Sequence, residues 1–459
     1  MRYCRILLFC LAPSLLFTFP IAPVAAQSSE APPPSEPASK PRRTFDQIMQ
    51  DAESGDPKAM NEAGFLYITG TNGAKRDPAE ALRWFQKAAD KGNSQAMNNL
   101  GLIYNKGDGA DRNPTEAAKW FLAAAQQGNL ASMISLGEMY ENGQGVKQSD
   151  QDCVDWYSKA ADGGSAEAMD RLGEKYMSGS GVKRDPKQAV DWFQRAVDKG
   201  DAQAMDLLAT AYAAGDGVAK DPQKALDLYR RSADLGDPDA MKDLGVMYDD
   251  GVGVPEDPAE AMRWYRKAAD GDQSAAMTAI GTLYMDGRGV KADPAEAMRW
   301  WRKAADAGEP NAMKYIGSMY EQGDGIAKDE ALAVKYYRDA ARLGEPGAMF
   351  LLGNMLQDGR GAPKDTKEAA SLFDAAARMG NVDAMNNLGD LYARGDGVPQ
   401  DDAKALAWFR KAADGGNADA MRNMGVFYEN GRGGLQPNSQ EAKRWNDKAA
   451  AADKDQGQK

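Results

Sequence analysis

Apolar and small residues follow a helical rhythm along this chain, and the rhythm restarts every 36 residues. The dipeptide Ala-Met marks each restart, at Ala59-Met60, Ala96-Met97, Ala168-Met169, Ala204-Met205, Ala240-Met241, Ala276-Met277, Ala312-Met313, Ala348-Met349, Ala384-Met385 and Ala420-Met421. Ser132-Met133 fills the one gap, and the first unit carries one extra residue. A fixed period of this length signals stacked supersecondary units. In the unit that begins at Ala276, the residues Ala276, Met277, Ile280, Gly281, Leu283 and Tyr284 share one face of a predicted helix. Gly287-Arg288-Gly289-Val290 breaks it. A second helix is predicted from Asp293-Pro294-Ala295-Glu296: Asp caps, Pro suits the first helical position, and Glu can complete a capping box. Ala297, Trp300 and Ala304 then predict the inward stripe, and Gly308 closes the helix.

Residue size predicts how the helices pack. Gly281 lets a neighbouring helix approach, with Trp300 and Tyr284 expected to fill the remaining space. One helix pair cannot bury its own apolar face, so pairs must stack. The expected fold is all-α: a solenoid of about eleven 36-residue helix-pair repeats over residues 59–453. Residues 44–58 are expected to form an N-terminal capping helix, and residues 454–459 a polar tail.

The start of the chain departs from the repeat. Arg2 and Arg5 precede an apolar run from Ile6 to Phe17, and Val24-Ala25-Ala26 offers small residues for cleavage. Residues 1–26 therefore read as a secretory signal, which predicts an exported protein, periplasmic or secreted. After its removal no membrane insertion is expected. Residues 27–43 hold Pro32, Pro33, Pro34, Pro37 and Pro41 and read as a disordered, semi-stiff linker.

Composition narrows the chemistry. The 459 residues contain no histidine, which removes His general bases and His-ligated metals. A net charge of −12 argues against a nucleic-acid partner. Three cysteines are too few for a disulfide framework, and only Cys153 lies beyond the leader. Cys153 aligns with Ala117 and Ala189 and is expected to be a buried thiol. The Gly-x-Gly-Val loops follow helices rather than strands, so they do not predict a phosphate loop. The Asp-bearing loops, such as Gly215-Asp216-Gly217, lack the ligands of a calcium loop. No catalytic residue, metal or cofactor is expected.

The repeated pattern A-x-x-x-L-G-x-x-Y, G-x-G-V, D-x-x-x-A-x-x-W-x-x-K-A-A-x-x-G resembles the Sel-one-like repeat (SLR) family, a relative of the tetratricopeptide repeats. The resemblance implies a right-handed α/α superhelix that acts as a non-catalytic adaptor for other proteins. It also implies that the third and seventh positions of each first helix line a concave groove. Some cysteine-rich members are linked to β-lactam binding or hydrolysis, which makes a cell-envelope β-lactam-binding or hydrolytic protein the alternative. This chain lacks their disulfide in each repeat.

At the implied groove positions, Glu138, Asp170, Glu174 and Asp206 fall in adjacent units and are expected to receive a basic peptide or weakly hold a divalent cation. Phe350 stands where most units place a polar group and is a candidate anchor, with Tyr315 nearby; a repacked ninth unit, where Leu356 and Leu372 replace aromatics, is the other reading. Asn98 and Asn386 are expected to hold an extended peptide backbone, and Lys314 joins the candidate groove residues.

Overall fold

The computed structural model describes residues 43–457; the expected signal, nearly all of the Pro-rich linker and the last two residues lie outside them. The described chain is entirely helical, with helices α1 to α23 in chain order. α1 (Phe45–Glu53) packs on α2 (Pro57–Thr69), burying Ile48 and Ala52. Eleven pairs follow, each with an even-numbered first helix and an odd-numbered second helix. α14 (Ser274–Asp286) with α15 (Pro294–Asp306) is representative. Each helix packs on its chain neighbours, so the pairs form an α-solenoid. The last helix, α23 (Ser439–Gly457), continues into the segment expected to be a polar tail.

In nine of the eleven pairs the core is a glycine facing a ring, but the ring is not the expected one. A Cβ on Gly281 would lie 2.4 Å from Cδ1 and Nε1 of Trp301, not against Trp300. Trp301 is buried, and its indole N–H donates to the carbonyl of Thr278 at 3.1 Å. Trp300 is only half-buried, with the Lys303 ammonium 5.2 Å from its ring centroid. Adjacent helical residues point about 100° apart. The inward stripe runs Ala297, Trp301, Ala304, and the tryptophan column stands beside it. Phe85, Phe121, Tyr157, Phe193, Tyr265, Tyr337, Phe373 and Phe409 oppose glycines in the same way. In the fifth pair Ala209 replaces the glycine, and the Tyr229 hydroxyl is 2.8 Å from that of Thr210.

The second helices begin at the predicted caps, without the predicted box. Asp293 accepts from the backbone N–H groups of Ala295 and Glu296. Its own N–H donates to the carbonyl of Tyr284 at 2.8 Å, which ties the loop back to the first helix. Glu296 is thereby released to pair with Arg299 at 2.7 Å.

The glycine loops join successive pairs. Gly217 has φ +78°, and a Cβ there would lie 2.2 Å from the carbonyl oxygen of Pro186 in the preceding pair. Only glycine lets the backbones meet this closely. Asp216 beside it binds Arg184 across the same junction, at 2.5 Å. These residues therefore tie repeat to repeat.

Candidate functional site

The first helices stand side by side as one wall. α2, α4 (Ser94–Lys106), α6 (Leu130–Asn142), α8 (Ala166–Ser178) and α10 (Ala202–Ala214) form its first half. α12 (Pro238–Asp250), α14, α16 (Pro310–Gln322), α18 (Pro346–Asp358), α20 (Val382–Arg394) and α22 (Ala418–Asn430) continue it. Backbones of successive first helices approach directly at α4–α6 and α12–α14. Side chains also bond across the wall.

That packing buries several of the expected groove residues. Asn98 is buried, and its side-chain oxygen accepts from the Ser132 hydroxyl at 2.8 Å. Asn386 is half-buried and accepts from Asn423 at 3.0 Å. Asn99 and Asn61 are bonded likewise at 2.9 Å, and Asn387 and Asn354 at 2.8 Å. The amides therefore bridge repeats, and the expectation that Asn98 and Asn386 stand open to a peptide backbone is corrected. Lys314 is also engaged: its ammonium lies 2.9 Å from Glu345, the N-cap of α18, and 3.1 Å from Asn311.

Phe350 is half-buried, with its ring centroid 6.1 Å from that of buried Phe373. Tyr315 stacks on Trp301 at 5.1 Å. Both rings extend the core, so the repacked ninth unit describes Phe350 better than an open anchor does. The exposed apolar side chains of the wall are elsewhere, at seventh positions: Phe65 (54% exposed), Leu102 (37%) and Val426 (50%). Their signal in the sequence was an apolar residue at an outward position. Charged or amide residues at the fourth position (Asn99, Arg171, Asp243, Asn387, Asn423) carry most of the wall's side-chain pairing, and of these Asn99, Asp243, Asn387 and Asn423 were missed.

The acidic residues stand on α6, α8 and α10, at two depths. Glu138 and Glu174 are half-buried, and burial raises both above the usual carboxylate range. Arg171 lies between them, 3.7 Å from Glu174, and opposes both shifts. Lys175 pairs with Glu141. Asp170 (2% exposed) and Asp206 (9%) lie beneath, each with one carboxylate oxygen that has no hydrogen-bond partner. Burial pushes both well above the ordinary aspartate range, reinforced by Glu174 at Asp170 and by Asp243 at Asp206. A buried carboxylate without a donor resists ionisation. Cys153 is fully buried, and burial pushes its thiol up to about 12, so it is not a poised nucleophile. Among the described residues, no helix is long and apolar enough to cross a membrane.

The repeat unit is matched in known proteins. The Sel1 repeat matches eleven consecutive segments from residue 57 to residue 454: 57–93, 94–129, 130–165, 166–201, 202–237, 238–272, 274–309, 310–345, 346–381, 382–417 and 418–454. The fold is similar to that of c5321, described as a protective antigen present in uropathogenic Escherichia coli strains and displaying an SLR fold. Identity is 31%, coverage is 89% of this chain and 87% of that one, and the TM-score is 0.56. It is also similar to a Sel1 repeat protein from Oxalobacter formigenes, with 36% identity over 55% of this chain and 100% of that one, and a TM-score of 0.50. The ERAD-associated E3 ubiquitin-protein ligase component HRD3A of Arabidopsis thaliana is 42% identical over 65 residues, 14% of this chain. The chain spans about 10% of the length of the curated relatives it matches. Eleven successive matches, each coinciding with one helix pair, show that the chain belongs to the Sel1 repeat family.

Proposed function

We propose that this protein is an exported, non-catalytic scaffold that holds a protein or peptide segment along its first-helix wall. The observation that carries the reading is the wall itself: eleven side-by-side helices present one uninterrupted column of seventh positions, from Phe65 to Val426. A surface repeated at regular intervals suits an extended partner. Residues 1–26 support export, as an N-terminal segment with the layout of a secretory signal. Two relatives lend support by analogy: one is described as a protective antigen, the other as a component of a larger ligase assembly.

The test is site-specific crosslinking in the native host. A photo-reactive residue at Phe65, Glu138 or Ser318, all seventh positions, should capture a discrete protein partner. The same residue at exposed Arg83 on α3 (Pro78–Asp90), in a second helix, should not. Equal capture at both faces, or none at the wall, would end the wall-binding reading. Fractionation tests export separately: the protein should appear in periplasm or culture medium, and retention in the cytoplasm would refute it.

A further inference from the structure

The seventh-position column changes chemistry abruptly within its first four helices. Phe65 on α2 and Leu102 on α4 expose large apolar side chains. Glu138 on α6 and Glu174 on α8 follow at the same register. Asp170 lies one turn before Glu174 on α8, hence on the same face. Its unpartnered carboxylate oxygen is buried beside Glu174, the first charge that acts on it. Of the nearby cations, Arg171 is shared among Glu138, Asp170 and Glu174, and Lys175 is committed to Glu141. The cluster thus holds more carboxylates than cations, and one carboxylate oxygen lacks a donor.

We propose that this end of the wall is a bipartite peptide receptor. Phe65 and Leu102 take an apolar side chain of an extended segment, and Glu138, Glu174 and Asp170 take a lysine or arginine from the same segment. The inference rests on the wall-binding reading above and adds the chemistry and register of the occupant. The carboxylates are spread along two helices, and among the described residues no group of three or more is placed to hold a metal ion. A long, flexible cationic side chain fits that spread: its N–H groups satisfy the orphaned oxygen while its charge offsets the excess. Packed helices stand about 8–10 Å apart. An extended chain advances about 3.3 Å per residue, so it covers one repeat in about three residues. Leu102 and Glu138 are one repeat apart, and Phe65 and Glu174 are three. The apolar and cationic residues of the ligand are therefore about three to nine positions apart.

The test is selection of a random displayed 12-residue peptide library on the purified protein, with anisotropy titration of the enriched peptides. Enriched sequences should pair an apolar residue with Lys or Arg at that spacing. E138Q/E174Q and F65S/L102S, with helical content checked by circular dichroism, should each weaken binding at least tenfold. The E138Q/E174Q loss should vanish for a peptide whose basic residue is changed to glutamine. Peptides that bind the wall without a basic residue, or that bind both variants like the parent, would overturn this inference and leave wall binding intact. A library that yields no binder would overturn both.

Discussion

At the residue scale, the repeat is governed by what one missing Cβ permits. Gly281→Val would force a branched side chain into the Trp301 indole, 2.4 Å from where even a Cβ would sit. Overpacking of this kind costs about 1–3 kcal/mol, so the urea midpoint should fall with the fold retained; an unchanged midpoint would show that the indole moves aside freely. Ala209 indicates what such relief entails, because there a tyrosine is held on the Thr210 hydroxyl in place of a ring lying over glycine. The buried aspartates give a pH signature. Asp170 is held above its ordinary value of 3.8 by burial and by Glu174, with Asp201 and Glu167 adding to the shift and Arg171 opposing it. The folded state therefore binds more protons than the unfolded state, and stability falls as pH rises from 3.8 through the folded value. Asp170→Asn removes the ionisation. It should flatten that decline and raise the urea midpoint more at pH 8 than at pH 4; an equal change at both would show that Asp170 ionises freely in the fold.

At the element scale, the loops determine how one helix pair meets the next. Gly217 and Gly200 both adopt positive φ, at +78° and +86°, so alanine strains the backbone at either. They differ in surroundings: Gly217 is pressed against Pro186 of the preceding pair, while nothing lies within 4 Å of a Cβ on Gly200. Gly217→Ala should therefore lower the melting temperature more than Gly200→Ala, and the difference measures the inter-repeat contact. Equal losses would mean that the contact opens without cost. The helix starts are supported separately. Removing the Asp293 side chain from the head of α15 should cost about 1 kcal/mol in a denaturant titration, the usual value of such a cap. A loss near zero would show that the Asp293 N–H bond to Tyr284 holds the turn alone.

At the scale of the whole molecule, each helix packs mainly on its sequence neighbours, so stability is a sum of repeats and their junctions. A defect in the middle should stay local. In Gly281→Val, hydrogen exchange should accelerate in α12 to α16, while α4 and α20 keep their protection. Uniform acceleration along the chain would indicate a single cooperative unit instead. The same architecture lets the wall vary in chemistry along its length: the apolar and acidic stretches near α2 to α8 can change without disturbing the far end.

The repeat, its two helices, the aspartate caps and the closing glycines were legible in the sequence because each depends on neighbours only a few residues away. Periodicity alone then required the pairs to stack. Which of two adjacent aromatics turns inward was not legible, since Trp300 and Trp301 both fit a broad apolar stripe; the close approach at Gly281 selects Trp301. The wall shows the same division. The sequence placed Asn98, Asp170, Phe350 and Phe65 at outward positions of their own helices. The distance between neighbouring helices then decided the rest. Where it is short, Asn98 bonds to Ser132, Asp170 loses its water, and Phe350 leans onto Phe373; Phe65 alone of these four keeps more than half its surface. A helix's own period fixes the direction of each side chain, but whether that direction leads into solvent depends on a neighbouring helix, with the partner 34 residues away for Asn98 and 23 for Phe350.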